Sequence, residues 1–241
     1  MKTRADLLLV ARGLFESRAK ARAAIEAGGV TADGRPVAKA SELIADDAIL
    51  VAPPAHPWVG RGALKLVHAL DLWPVALVGR VVLDVGASTG GFTEVCLSRG
   101  AARVYAVDVG RGQMHPKVAA DPRVVGLEAT DARDLTTALV PEPPGLIVSD
   151  VSFISLEKAM PAALALAQPG ADLVALVKPQ FEVGRGNVGK GGIVSDAAAQ
   201  MAALEAVKAF VAASGWTVRD TTDSPIEGGD GNREFLLWAT R

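Results

Sequence analysis

The sequence predicts an α/β protein: an open, mostly parallel sheet of seven strands with helices on both faces, preceded by a small α+β unit. Three observations carry that expectation. The first is Val81 to Phe92, VVLDVGASTGGF, where a short apolar run ends in Asp84 and Gly86, Gly90 and Gly91 follow. A strand running into a tight glycine turn and a helix start is how an open α/β sheet builds a ligand site. The second is the alternation, from Arg80 onward, of near-continuous apolar runs with helical patterns, which marks parallel strands covered on both sides. The third is the stretch 221–233 between the final two apolar runs. It is too short for a crossover helix, so that pair should be antiparallel.

The first unit is expected over residues 1–52. Leu7, Leu8 and Ala11 suggest a short helix ending at Gly13. Ser17 can cap a second helix that runs to about Ala27. Val30 to Val37, with Asp33-Gly34 at its centre, reads as a hairpin. Ala48 to Val51 reads as a further strand. Residues 1–22 hold six basic residues (Lys2, Arg4, Arg12, Arg18, Lys20, Arg22) against two acids, whereas residues 23–52 hold two against five. The two helices therefore carry a basic face on an otherwise acidic module. Residues 53–59 form a linker, stiffened by Pro53, Pro54 and Pro57.

The second unit is expected over residues 60–241. Gly60-Arg61-Gly62 opens a helix to about Leu72, with Ala63, Leu66, Val67 and Leu70 on one face and Lys65 roughly opposite. Strands are expected at 81–85, 103–108, 123–127, 146–150 and 172–177, and the antiparallel pair at 216–220 and 234–239. Helices are expected at 91–99 and 155–168, and at 196–214 behind a Ser195 cap.

Composition sets bounds on function. The chain of 241 residues is 50% hydrophobic and 22% charged, an ordinary globular balance. Its single cysteine, Cys96, excludes a disulfide framework and fits a reducing compartment. No stretch reads as a secretory leader or a membrane span, so a cytoplasmic protein is expected. Net charge is −2, so a nucleic-acid site must come from local clustering. The three histidines have no metal-ligand spacing with a cysteine or an acid, and no metal is expected.

The glycine turn departs from the dinucleotide fingerprint, because Ser88 stands where the second glycine is needed. The pattern Asp84-x-Gly86-x-Ser88-x-Gly90 suits S-adenosylmethionine (SAM), a ligand without a pyrophosphate. An acid near the turn can pair with its ammonium. A second acid, Asp108 at the end of the next strand, can take its ribose hydroxyls.

Strand ends on that side carry further charge. Asp150 ends the fourth strand, Lys178 ends the fifth and Glu234 opens the final one; Lys65 adds a fourth charge. A lysine directly after Leu176-Val177 needs a partner or a function. The plain alternative is a buried ion-pair network that only holds the sheet. Four charges converging on the ligand side favour catalysis. A sugar hydroxyl is almost wholly protonated at neutral pH. Two cations near its oxygen would stabilise the alkoxide, and one lysine could take the proton. Lys178 is favoured as base and Lys65 as the assisting cation.

Arg12-Gly13-Leu14, Ser17-Arg18-Ala19-Lys20-Ala21, Ile25, Gly28, Val30, Asp33-Gly34 and Val37 resemble the S4 RNA-binding domain. Lys65, Asp150, Lys178 and Glu234 match the K-D-K-E tetrad of FtsJ-like 2′-O-ribose methyltransferases. Together with Trp58 to Leu66, Asp84 to Thr93, Ser152-Phe153-Ile154-Ser155 and Val177 to Glu182, the chain resembles the TlyA (haemolysin A-like) family over essentially its full length. The resemblance implies a Rossmann-like SAM methyltransferase sheet behind an S4 domain. It implies methylation of a cytidine 2′-hydroxyl in ribosomal RNA of the small subunit, the large subunit, or both. The implied cofactor residues are Asp84, Gly86, Ala87, Ser88, Thr89, Gly90, Gly91, Phe92, Asp108, Val109 and Asp131. Asp131 would meet the adenine amine, though by itself it could equally cap a helix. Implied RNA contacts are Arg4, Arg12, Arg18, Lys20, Arg22 and Arg61, with Arg185 and Lys190 in a glycine-rich loop that reads as able to close on RNA or as plain surface.

Two rivals are weaker. A base methyltransferase acting on an amino group would show a polar-Pro-Pro-aromatic turn after the fourth strand, and Asp150-Val151-Ser152-Phe153 lacks the prolines. C5 methylation needs a nucleophilic cysteine, and Cys96 sits inside the helix after the glycine turn. An RNA-binding assembly factor with an inactive transferase domain would not need the intact tetrad.

Overall fold

A computed structural model describes residues 1–184, 186, 188–228 and 231–241. The chain divides into two compact units, Met1–Pro57 and Trp58–Arg241.

The first unit runs β1 (Lys2–Arg4), α1 (Ala5–Ala11), α2 (Arg18–Glu26), β2 (Thr31–Ala32), β3 (Arg35–Pro36), β4 (Leu43–Ala45) and β5 (Leu50–Val51). The Ser17 hydroxyl accepts from the Lys20 amide at 3.3 Å and starts α2. Asp33 and Gly34 both take positive φ (50° and 76°), which a two-residue turn between β2 and β3 requires. β2 pairs antiparallel with β3 and β5, and β1 pairs with β4. The core gathers Leu8, Leu9, Phe15, Ile25, Val30 and Ile44. The inward face of α1 is Ala5, Asp6, Leu8 and Leu9. Leu7 and Ala11 face outward, against the sequence expectation, so the helix is rotated and the acid is buried.

The second unit runs α3 (Ala63–Leu72), β6 (Val81–Val85), α4 (Gly91–Ser98), β7 (Arg103–Val107), α5 (Pro116–Ala119), β8 (Val124–Leu127), β9 (Leu146–Ser149), α6 (Leu156–Ala159), α7 (Pro161–Leu166), β10 (Asp172–Val177), α8 (Pro179–Glu182), α9 (Ala197–Ala213), β11 (Thr217–Asp223) and β12 (Phe235–Thr240). The sheet order is β11-β12-β10-β9-β6-β7-β8. The five strands from β10 to β8 are parallel. β12 lies antiparallel between β10 and β11.

Alternation along the strands divides the core into two layers. Val82, Val104, Val148, Val174 and Leu236 pack with α3 and α4. Leu83, Tyr105, Ile147, Leu173 and Leu237 pack with α6, α7 and α9.

Three expectations need correction. The helix expected at 155–168 is two short helices, because Pro161 has no N–H to continue α6 and begins α7 instead. Asp196 rather than Ser195 caps α9, its carboxylate accepting from the Ala198 amide at 2.9 Å. β11 extends to Asp223, with a register irregularity between Val218 and Asp220.

Candidate active site

The strand boundaries place the charged residues. Asp108, Asp150 and Lys178 are each the first residue beyond a parallel strand, and Glu234 is the residue before β12. Because β12 is antiparallel and Val177 lies opposite Phe235, its beginning sits at the same sheet edge as those strand ends. Topology alone thus brings side chains from four distant stretches to one rim.

They form two ion pairs. Lys65 Nζ, from α3, lies 2.5 Å from Glu234 Oε2, and both side chains are buried. Lys178 Nζ lies 2.6 Å from Asp150 Oδ1 and donates a hydrogen bond of 2.8 Å to Ser152 Oγ. Sequence reasoning assigned Ser152 no role. Its signal is the two-residue offset from Asp150, where the chain leaves the strand and turns back.

Lys178, Asp150 and Ser152 open onto a hollow of about 230 Å³, shared with Gly60–Gly62 and with Gly86–Thr89, Gly91 and Phe92 of the glycine turn. A cavity of about 550 Å³ adjoins it and shares Gly86, Ser88, Asp150 and Ser152. Asp108, Val109, Thr130, Asp131 and Ala132 also line that larger cavity. Two glycines are demanded here. Gly86 has φ 86°, and a Cβ on it would lie 2.9 Å from the Asp150 carbonyl oxygen. Gly90, the left-handed N-cap of α4, would put a Cβ 2.9 Å from Val118, so it shapes the turn from outside the hollow. Ser88 holds φ 48°, a conformation rare for a residue with a side chain.

Both Asp108 oxygens accept from backbone amides, Oδ2 from Ser88 at 2.8 Å and Oδ1 from Gly110 at 2.7 Å. Each carboxylate oxygen keeps a lone pair for a further donor. Asp131 accepts from the Arg133 amide at 2.9 Å and pairs with its guanidinium at 2.6 Å. That pairing holds its carboxyl down at about 2. It both caps the turn at Ala132–Asp134 and lines the cavity.

Asp84 departs from expectation. It is wholly buried and lines neither space. Its Oδ2 accepts from Thr93 Oγ1 at 2.6 Å, tying β6 to α4, and its Oδ1 has no partner. Burial pushes its pKa up to about 7. The reason lies in the pleat: Asp84 points into the layer beneath α4 rather than out of the strand end. Cys96 is fully buried nearby, and burial raises its thiol as well.

Arg4, Arg12, Arg18, Lys20 and Arg22 are each engaged within the first unit. Arg4 and Arg18 pair with Asp6, Lys20 with Glu16, and Arg22 with Glu26. Arg12 donates to the carbonyls of Asp46 and Ala48, a role in holding the chain that its charge alone did not reveal. In the second unit Arg61 lines the hollow and donates to the Glu227 carbonyl at 3.1 Å. Lys190 is exposed in a short turn, and Arg185 lies outside the described residues. Among the described residues no cluster of acids, histidines and cysteine could hold a metal, and no helix is long and apolar enough to cross a membrane.

Comparison with known proteins gives the family. Residues 58–241 match the model of the FtsJ-like methyltransferases, and residues 3–49 match that of the S4 domain. The chain is 47% identical over 239 residues to the 16S/23S rRNA (cytidine-2′-O)-methyltransferase TlyA of Mycobacterium tuberculosis, covering 98% of this chain and 89% of that one. It is 38% identical to the Hemolysin A of Brachyspira hyodysenteriae, with 97% and 98% covered. A solved chain from Streptococcus thermophilus, 40% identical, superposes with a TM-score of 0.78 over 100% of this chain and 88% of its own. On these matches, and with the K-D-K-E residues gathered at one sheet edge, the chain belongs to the TlyA family of FtsJ-like methyltransferases that carry an S4 domain.

Proposed function

We propose that this protein methylates the 2′-hydroxyl of a cytidine in ribosomal RNA, with S-adenosylmethionine as methyl donor. One observation carries the reading: Lys178, between Asp150 and Ser152, opens onto a hollow that shares its wall with the larger cavity.

The residues present suit the cofactor. The cavity of about 550 Å³ is of ligand size. The Asp108 carboxylate at its rim can accept from ribose hydroxyls. Val109, Ala132 and Ile154 supply apolar wall for an adenine, with Asp131 beside it as acceptor for the ring amine. The turn Gly86–Gly90 would bear on the amino-acid end. When bound, S-adenosylmethionine supplies a methyl group made electrophilic by its sulfonium.

The chain supplies the rest. Lys178 Nζ is the base that takes up the proton of the 2′-hydroxyl. Ser152 and Asp150 fix that nitrogen at the mouth of the hollow. Lys65, held by Glu234 at the same sheet edge but lining neither space, would act as the assisting cation for the oxyanion. The buried pairing keeps these long side chains in single positions, so little rearrangement is needed at reaction. Positioning of this kind is worth several kcal/mol of a barrier.

The S4 unit would bind structured RNA through its basic helices, contacting phosphates more than base edges. A ribosomal substrate makes the cytoplasm the expected compartment. Transfer of labelled methyl to purified ribosomal subunits, wild type beside Lys178→Ala, tests the reading. Nuclease digestion then places the label. Ribose label that the substitution lowers by roughly 10²–10⁴-fold supports it, the range of a lost general base. Label on a base overturns it.

A further inference from the structure

A groove of about 600 Å³ in the first unit is lined by Arg4, Arg18, Arg22 and Lys39, with two acids among them: Glu26, paired with Arg22, and Asp6. An acid in a basic groove should weaken its hold on an anion. Yet Asp6 is only 3% exposed, and its carboxylate is fully engaged with the groove's own cations. Oδ1 accepts from Arg4 Nε at 3.0 Å and from the Leu7 amide at 3.1 Å. Oδ2 accepts from Arg4 Nη2 at 3.1 Å, Arg18 Nε at 3.2 Å and Arg18 Nη2 at 2.8 Å. Both arginines are gripped by the same edge, Nε and Nη2. That leaves the Nη1 groups and one Nη2 hydrogen of each as donors. Their side chains are 43% and 59% exposed, so the opposite edges are accessible.

We propose that Asp6 is a positioning residue for RNA binding, holding the guanidinium forks of Arg4 and Arg18 so that their free edges face the groove as a receptor for backbone phosphates. The inference rests on the RNA-methyltransferase reading above. Arg4, ahead of Arg18, holds the Asp6 carboxyl well below the usual carboxylate range, so the grip persists at any assay pH. A guanidinium that is already fixed loses less freedom when it meets a phosphate.

Net charge and positioning predict opposite signs, which makes the test decisive. The full-length protein is titrated against purified ribosomal subunits and their protein-free RNA at two salt concentrations. Asp6→Asn keeps the side-chain shape and removes one negative charge. Positioning predicts binding weaker by about tenfold, with SAM affinity unchanged, because two long side chains must then be ordered on binding. It also predicts that Asp6→Asn adds nothing in an Arg4→Ala/Arg18→Ala background. Equal or tighter binding, as bare electrostatics requires, overturns the proposal, and so does an undiminished loss in that background. Should Asp6→Asn unfold the first unit, Arg4→Lys/Arg18→Lys decides. It keeps both charges and loses the forked grip, so it must bind more weakly, and unchanged binding overturns the proposal. A wild type that binds no RNA would instead sink the reading on which the proposal rests.

Discussion

The two units use the same residue types to opposite ends. In the first, Lys20–Glu16 and Arg22–Glu26 join residues four apart in sequence, with every partner at least 36% exposed. In the second, Lys65 and Glu234 are 169 residues apart in sequence, and their side chains are 8% and 2% exposed. An exposed pair contributes about 0–1 kcal/mol, so water or a phosphate can replace either partner easily. A buried pair costs several kcal/mol to break from one side, so it keeps its geometry through a reaction cycle. The first unit also holds a fixed pairing, Asp6 with Arg4 and Arg18, beside these exchangeable ones.

The comparison can be broken most forcefully at Glu234. Glu234→Ala leaves Lys65 buried without its partner and should cost about 3–5 kcal/mol. Calorimetry should then show the second unit melting roughly 10 °C lower. Replacing both partners with apolar residues of similar volume, Lys65→Met with Glu234→Leu, should recover most of that stability and none of the methyl transfer. Recovery of both would reduce the pair to a structural tie.

Gly86→Ala comes next. Its φ of 86° and the 2.9 Å approach to the Asp150 carbonyl predict a cost of about 1–3 kcal/mol and a loss of SAM binding measurable by calorimetric titration.

Asp84 provides a test with a sign. Its folded pKa of about 7 lies above the ordinary value of 3.8, so in that window the folded state binds more protons than the unfolded. Stability attributable to this group is full below pH 3.8 and declines as pH rises toward 7, by up to about 1.4 kcal/mol per unit. Glu182, raised by burial, pulls in the same direction. Asp84→Asn should remove its own share of the slope, read as the difference between two urea-unfolding series. Parallel series would mean that the carboxyl is not neutral in the fold.

The smallest effect belongs to Lys20→Ala. Stability should change by less than about 0.5 kcal/mol, and the salt dependence of RNA binding should lose a slope of about 1 if Lys20 leaves Glu16 for a phosphate.

Much of the site was legible in the sequence because its residues interrupt apolar runs. A lysine after Leu176-Val177 and an aspartate after Ser149 stand where a strand stops and the sheet edge begins. What escaped depends on rotation about an element. Asp84 reads as a rim residue until the pleat turns it beneath α4. Asp6 counts only as one acid among the first 22 residues until α1 is seen to face its core with Asp6 beside Leu8 and Leu9. β1 and β4, three residues each, are too short to display a period. Pro161 lies inside the helix expected at 155–168 and divides it.

β12 occupies an interior place in the sheet although it is translated after every strand it touches. Residues 81–177 contain all five parallel strands, and β11 joins them only through β12. The pairing of β12 with β10 joins stretches about 60 residues apart, a long-range contact of the kind that forms slowly. β12 thus ties β11 to β10 and sets Glu234 at the sheet edge, so one strand carries both the end of the sheet and the fourth member of the tetrad.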